Sequence, residues 1–260
     1  PPPSPETAAQ PPSASTSGPS RPAAGLAIEL QAPAALKDLL LRHLDLARAS
    51  RLGADESLDD LELQRLMAAA PAQIRDLLRT EGWFEPVIRL RREPGMPRRV
   101  VIDLDPGPRV QVVAREVRIE GEVQRRAESG DAASRRLMAS VQAAGPLRPA
   151  EPFRNAAWAD TKQQWLATLR AGGHAAARLV HSSADIDVSA REARLQGVVD
   201  SGPLFIAGMV QVEGLAAQPL RTVEHLTSFV TGQPLTEARL LDVQERLQKS
   251  GLFQSISVSH

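Results

Sequence analysis

The sequence predicts an α+β fold of tandem β-α-α-β-β units, the third lacking its last strand, behind a disordered proline-rich N-terminal tether. Three observations carry that expectation. Three stretches share one order: "IRDLLRTEGWFEPVIRL" ending at Leu90, "QQWLATLRAGGHAAARLV" ending at Val180 and "LLDVQERLQKSGLFQSISV" ending at Val258 each read as an amphipathic helix, a glycine and a short strand. Two others, "DLDPGPRVQVVAREVRIEG" ending at Gly121 and "VVDSGPLFIAGMVQVEG" ending at Gly214, each read as a strand, a Gly-Pro break and a longer strand. Their spacing of roughly 90 residues suits small domains rather than solenoid repeats. Finally, residues 1–24 are rich in proline, serine and alanine and hold too little bulky apolar surface to offset the entropy of ordering.

The predicted organisation is a linker over residues 1–24 and units over residues 25–107, 108–202 and 203–260. In the first unit Leu36, Leu40 and Leu44 share a helical stripe. A second helix starts after the acidic run around Asp55 and Glu56 and carries Leu58, Leu61 and Met67. Pro71 suits the first residue of a new helical turn, followed by Ile74, Leu77 and Leu78. Strands are expected over residues 83–91 and 99–105. The second unit opens near Val110, with Val117 and Ile119 alternating in the long strand, Trp158, Trp165 and Leu169 on one helical face, and strands over residues 174–181 and 192–200.

The third unit starts at Leu204, alternates through Val210 and Val212, and has helices marked by Val223, Leu226 and Val230, then by Leu240, Val243 and Leu247 with Thr236 as N-cap. Its closing strand is expected beyond His260. Gly82, Gly173 and Gly251 stand where a helix ends in the left-handed conformation that a residue without Cβ adopts freely.

Composition removes several classes of function. Lysine plus arginine and aspartate plus glutamate both number 31, so no global field marks a nucleic-acid partner. Without cysteine the chain has no disulfide, thiolate metal site or cysteine nucleophile. No stretch has the length and apolarity of a membrane-spanning helix, and any secretory leader is expected to have been removed or omitted ahead of Pro1. Neither a G-x-x-x-x-G-K-[ST] phosphate loop nor a G-x-S-x-G elbow occurs. His174 and His181 lack ligand-spaced partners and read as exposed or capping side chains, while Asp185 and Asp187 read as a polar turn between strands. No metal or cofactor is expected, and no nucleophile and base can be named for a hydrolase with a cleft between units.

The recurring residues Gly82-Trp83-Phe84, Pro106-Gly107-Pro108, Val117-Arg118-Ile119-Glu120-Gly121, Gly202-Pro203, Val210-Gln211-Val212-Glu213-Gly214 and Ser250-Gly251-Leu252-Phe253 give this chain a pattern that resembles the POTRA, or polypeptide-transport-associated, domains of outer-membrane assembly proteins of the BamA-like superfamily. The resemblance covers residues 26–260. Three units look most like the TamA family of translocation and assembly module subunits.

The resemblance implies a periplasmic, non-enzymatic arm ahead of a membrane β-barrel, with unfolded outer-membrane clients including autotransporters and an inner-membrane-anchored partner of the TamB kind. Related alternatives are the receptor region of a two-partner secretion transporter and a stand-alone periplasmic scaffold. It also implies that the second strand of each unit is the edge to which a partner adds a strand, near Val87, Arg89 and Arg91 in the first unit and Val180 and His181 in the second. From the residues themselves, Arg89, Arg91, Arg92, Arg98 and Arg99 cluster on one hairpin. They serve either as charges that protect an edge from aggregation or as a contact for an acidic partner or anionic lipid. Proline stiffens the joints at Gly107-Pro108 and Gly202-Pro203.

Overall fold

The computed structural model describes residues 26–51, 58–95, 98–208 and 232–250. Within these, the order is β1 (Leu26–Gln31), α1 (Ala34–His43), α2 (Asp45–Ala49), α3 (Asp60–Thr80), β2 (Val87–Glu93), β3 (Arg98–Asp105), β4 (Gln111–Glu120), α4 (Glu122–Glu128), α5 (Ala132–Ala143), α6 (Asn155–Ala171), β5 (Arg178–Asp187), β6 (Glu192–Asp200) and α7 (Glu237–Lys249). The strands form two three-stranded sheets of the same order, β1-β3-β2 and β4-β6-β5. By compactness the described chain divides into one unit of residues up to 74 with 88–104 and another of residues 75–87 with those from 105 onward. The division falls within α3.

In the first unit β1 runs parallel to β3, from Leu26 opposite Arg98 to Gln31 opposite Asp103. Leu36 and Leu40 are buried on α1, with Leu44 at its C-cap. The expected apolar face of the next helix is displaced: Leu61 is exposed, whereas Leu63, Ala70, Ile74 and Leu78 are buried at helical spacing. Pro71 does not open a separate helix. It lies inside α3, which runs through it for 21 residues. A proline there removes one internal hydrogen bond and strains the preceding turn. Burial of Ala70 and Ile74 on either side provides the tertiary packing that holds the helix through it.

The second unit shows how its sheet is spaced for its core. Parallel pairing sets Val117 opposite Gly197, and antiparallel pairing sets Ser182 opposite Gly197, so one row across β4, β6 and β5 has two modest side chains flanking a glycine. Trp165 fills the space above that row, since a methyl group at Gly197 would overlap its indole ring. The indole is fully buried and meets Trp158 edge to face at 5.3 Å between ring centroids. Val112, Ile119, Leu169, Ala193, Leu195 and Val199 complete this core.

The largest differences from the expected strand boundaries are in β2 and β5. β2 begins at Val87 rather than at 83, because Trp83 makes a single bridge to Arg109 instead. β5 begins at Arg178 rather than at 174 and continues to Asp187, so Asp185 and Asp187 belong to the strand, and the turn covers the residues up to Arg191, whose φ is +60°. Each helical layer also contains a further short segment, α2 or α4, beside the two expected helices. Gly214 and Gly251, with the Val210–Val212 alternation, the helix of Val223, Leu226 and Val230, and the strand after Gly251, lie outside the described residues. The described part of the third stretch holds a bridge between Ile206 and Pro234 and helix α7, where the Thr236 hydroxyl accepts the Arg239 N–H at 3.3 Å.

Gly197→Ala is expected to lower the unfolding free energy by about 1–3 kcal/mol, because the added methyl must displace a ring already packed against the strand. Urea unfolding followed by tryptophan fluorescence checks this; a stability equal to that of the parent chain would contradict it.

Candidate partner-binding sheet edges

Both expected second strands lie at a sheet edge, β2 outside β3 and β5 outside β6. An edge strand offers about half its backbone N–H and C=O groups outward. Among the described residues, neither β2 nor β5 makes a backbone hydrogen bond other than those of its own sheet. The opposite edge of the second sheet is partly covered: the Val112 N–H donates to Glu151, the Ala150 N–H to Val112 and the Phe153 N–H to Val110.

On β2, Val87, Arg89 and Arg91 are exposed on one face, and Val87 keeps 51% of its surface accessible. The five hairpin arginines all have carboxylates within ion-pair range. Arg89 reaches Asp103 at 3.8 Å, Arg91 reaches Glu93 at 3.6 Å, Arg92 and Arg98 converge on Asp60 at 3.0 and 3.2 Å, and Arg99 stands 3.8 Å from Glu93. The cluster is therefore a mixed-charge rim, which discourages unselective strand pairing without creating a strong positive field.

On β5, Val180 and His181 are both exposed, Val180 at 48%. Strict alternation would have placed them on opposite faces. A bulge explains the difference: Leu179 pairs with Val199 and His181 with the next residue, Val198, leaving Val180 as the extra residue. Beyond the bulge the register is regular from Ser182 opposite Gly197 to Asp187 opposite Glu192. This outer half of β5 was missed from sequence because Ser182, Ser183, Asp185 and Asp187 are poor strand formers. The available signal was that β5 could match the nine-residue strand β6 along its full length only by continuing to Asp187.

His174 is not an exposed residue beside the strand. It is 1% accessible, and its Nδ1 has no partner among the described residues. It sits at the joint that follows β6. There the Ser201 N–H donates to the Glu120 carbonyl at 3.0 Å, the Leu204 N–H to Glu122 Oε2 at 2.8 Å, and the Phe205 N–H to the Gly173 carbonyl at 2.8 Å. Gly173, with φ +98°, allows the chain to reverse there, and a side chain at this position would press on Leu204 and the Leu235 carbonyl. Burial pushes the His174 imidazole below its ordinary pKa, opposed by the Gly202 and Pro203 carbonyls and by Glu122.

Gly82, with φ +91°, stands against the Phe153 carbonyl, leaving no room for a side chain. Near it, Arg109 Nε donates to the Glu81 carbonyl at 2.7 Å, Arg154 Nε to the Glu81 carboxylate at 2.8 Å, and the Arg109 guanidinium lies 4.3 Å from the Trp83 ring centroid. Further along, the Gly107 N–H donates to Asp105 Oδ1 at 3.0 Å. Gly121 and Gly202 have φ +96° and +62°. Among the described residues no group of three or more metal-binding side chains occurs.

No family model matches the sequence, and no curated protein matches it significantly. Solved structures do resemble the fold. BamA POTRA domains 3–5 of Haemophilus influenzae align over 90% of this chain and 88% of that one, with 19% identity and a TM-score of 0.41. The N-terminal domain of Omp85 from Thermosynechococcus elongatus aligns over 91% and 88%, with 14% identity and a TM-score of 0.30. POTRA domains 1–3 of Omp85 from Anabaena align over 91% and 87%, with 13% identity and a TM-score of 0.29. The α+β architecture stands on the two sheets themselves.

The buried histidine sets a sign for pH dependence. Because its folded pKa is lowered from 6.5, the unfolded chain binds the proton first on acidification, so the stabilisation is present above that pH and is lost below it. Between pH 7.5 and 5.5 the unfolding free energy is expected to fall, and the slope to be shallower in His174→Gln. Equal slopes in urea titrations of the two proteins would refute the assignment.

Proposed function

We propose that this chain is a POTRA-type receptor arm in the periplasm, part of an outer-membrane assembly protein of the TamA kind, and that it captures extended polypeptide by strand addition. The observation supporting this most directly is the shared strand order. In both sheets the first and second strands flank the third, so the second strand has a neighbour on one side only. Main-chain hydrogen bonds to such an edge give affinity with little dependence on sequence, which suits a receptor for many unfolded clients.

Under this reading the clients are unfolded outer-membrane polypeptides, autotransporters among them, and an inner-membrane-anchored protein of the TamB kind is a second partner. Val87, Arg89 and Arg91 on one sheet and Val180 and His181 on the other border the receiving edges. The arginine hairpin governs access to β2 through its carboxylate-paired rim, with anionic lipid as a subsidiary contact. No catalytic step is assigned to the arm.

A photo-crosslinking residue placed at Val87 or Ser183 tests the reading, with Gln196 on the central strand β6 as control. With a urea-unfolded β-barrel polypeptide as probe, adducts are expected from the edge positions and not from Gln196. Equal yields at all three positions, or none at the edges, would contradict strand addition.

A further inference from the structure

Resting on that reading, we infer that the receiving part of β5 is residues 182–187, and that it selects alternating strands with apolar side chains toward the helical layer and a cation beside Asp185. The bulge at Val180 breaks the flat edge on one side, whereas the pairing from Ser182 to Asp187 is continuous. A strand added here extends two rows of side chains.

The row facing the helices contains Ser182, Ala184 and Ile186, opposite Gly197, Leu195 and Ala193. Ile186 packs at the margin of the core, and Ala184, the smallest side chain of the row, is exposed. The helical layer therefore stops short of this edge, and an apolar side chain on an added strand would extend the core by one column.

The opposite row contains His181, Ser183, Asp185 and Asp187. Its charges are not all matched. The Asp187 carboxylate accepts the Ala190 N–H at 2.8 Å, closing the turn. Arg194, directly across from Asp185 on β6, is held by Glu192 at 2.7 Å. Asp185 is exposed and forms no ion pair among the described residues, and an added strand would lie along the outer side of β5 beside it. A lysine or arginine there gains a cross-strand partner, and a glutamate is repelled. On β2, by contrast, the outward arginines already lie near carboxylates.

Ten-residue peptides that alternate valine with lysine, serine or glutamate test this against the whole chain by fluorescence anisotropy. Zero formal net charge keeps unspecific attraction to either charged peptide small. At low salt the lysine peptide is expected to bind about two- to five-fold more tightly than the glutamate peptide. The preference should fade in 0.5 M salt, vanish in Asp185→Asn and reverse in Asp185→Lys, each an exchange of an exposed side chain. The same ranking in Asp185→Lys as in the parent chain overturns the inference, as does equal binding of all three peptides, which leaves strand addition standing. Absence of binding by every peptide overturns both.

Discussion

The middle position of each sheet belongs to the last strand of its unit, and this constraint governs the rest. β3 and β6 pair on one side with the strand that opens the unit, in parallel, and on the other with the strand that precedes them. A parallel pair requires a long crossover, here the helical layer, so the helices must cover one face of the sheet. The remaining strand, β2 or β5, then has no second neighbour. The open edge is a consequence of the topology rather than a local accident of sequence.

The second unit shows how core and edge are linked. Trp165 lies over Gly197 on the central strand, with Val117 and Ser182 on either side, so the heaviest side chain of the core sits above the thinnest row of the sheet. Helix α6, which carries Trp158, Trp165 and Leu169, is thereby packed through Trp165 onto β6 at Gly197. Toward β5 the cover thins, leaving Ala184 exposed and Ile186 half-buried. The packing that fixes the interior thus also fixes which side chains are available at the rim. Charge then distinguishes the two edges: carboxylate-paired arginines border β2, while Asp185, which has no ion pair among the described residues, borders the regular part of β5.

Much of this was legible in the residues. Apolar periodicity identified α1 through Leu36 and Leu40, the buried face of α6 through its two tryptophans, and β6 with correct bounds. The failures have physical causes. Pro71 suits the first position of a new helical turn, where its missing N–H costs nothing, but α3 runs through it, with Ala70 and Ile74 buried on either side. Strand β5 was cut short because serine and aspartate disfavour strands, while cross-strand pairing with a well-formed β6 overrode the preference. The bulge at Val180 depends on three-dimensional register and leaves no local signature. Burial of His174 likewise arises from a joint formed by residues distant in sequence, Glu122 and Leu204 among them.

An open β5 is the claim beneath the proposed capture of polypeptide, and amide hydrogen exchange of the chain alone measures it directly. Amides of β6 from Ala193 to Val199 are expected to exchange slowly throughout, whereas along residues 182–187 of β5 slow and fast amides should alternate, the fast ones being those directed away from the sheet. Uniformly slow exchange along β5 would mean that another segment already covers this edge, contradicting the account.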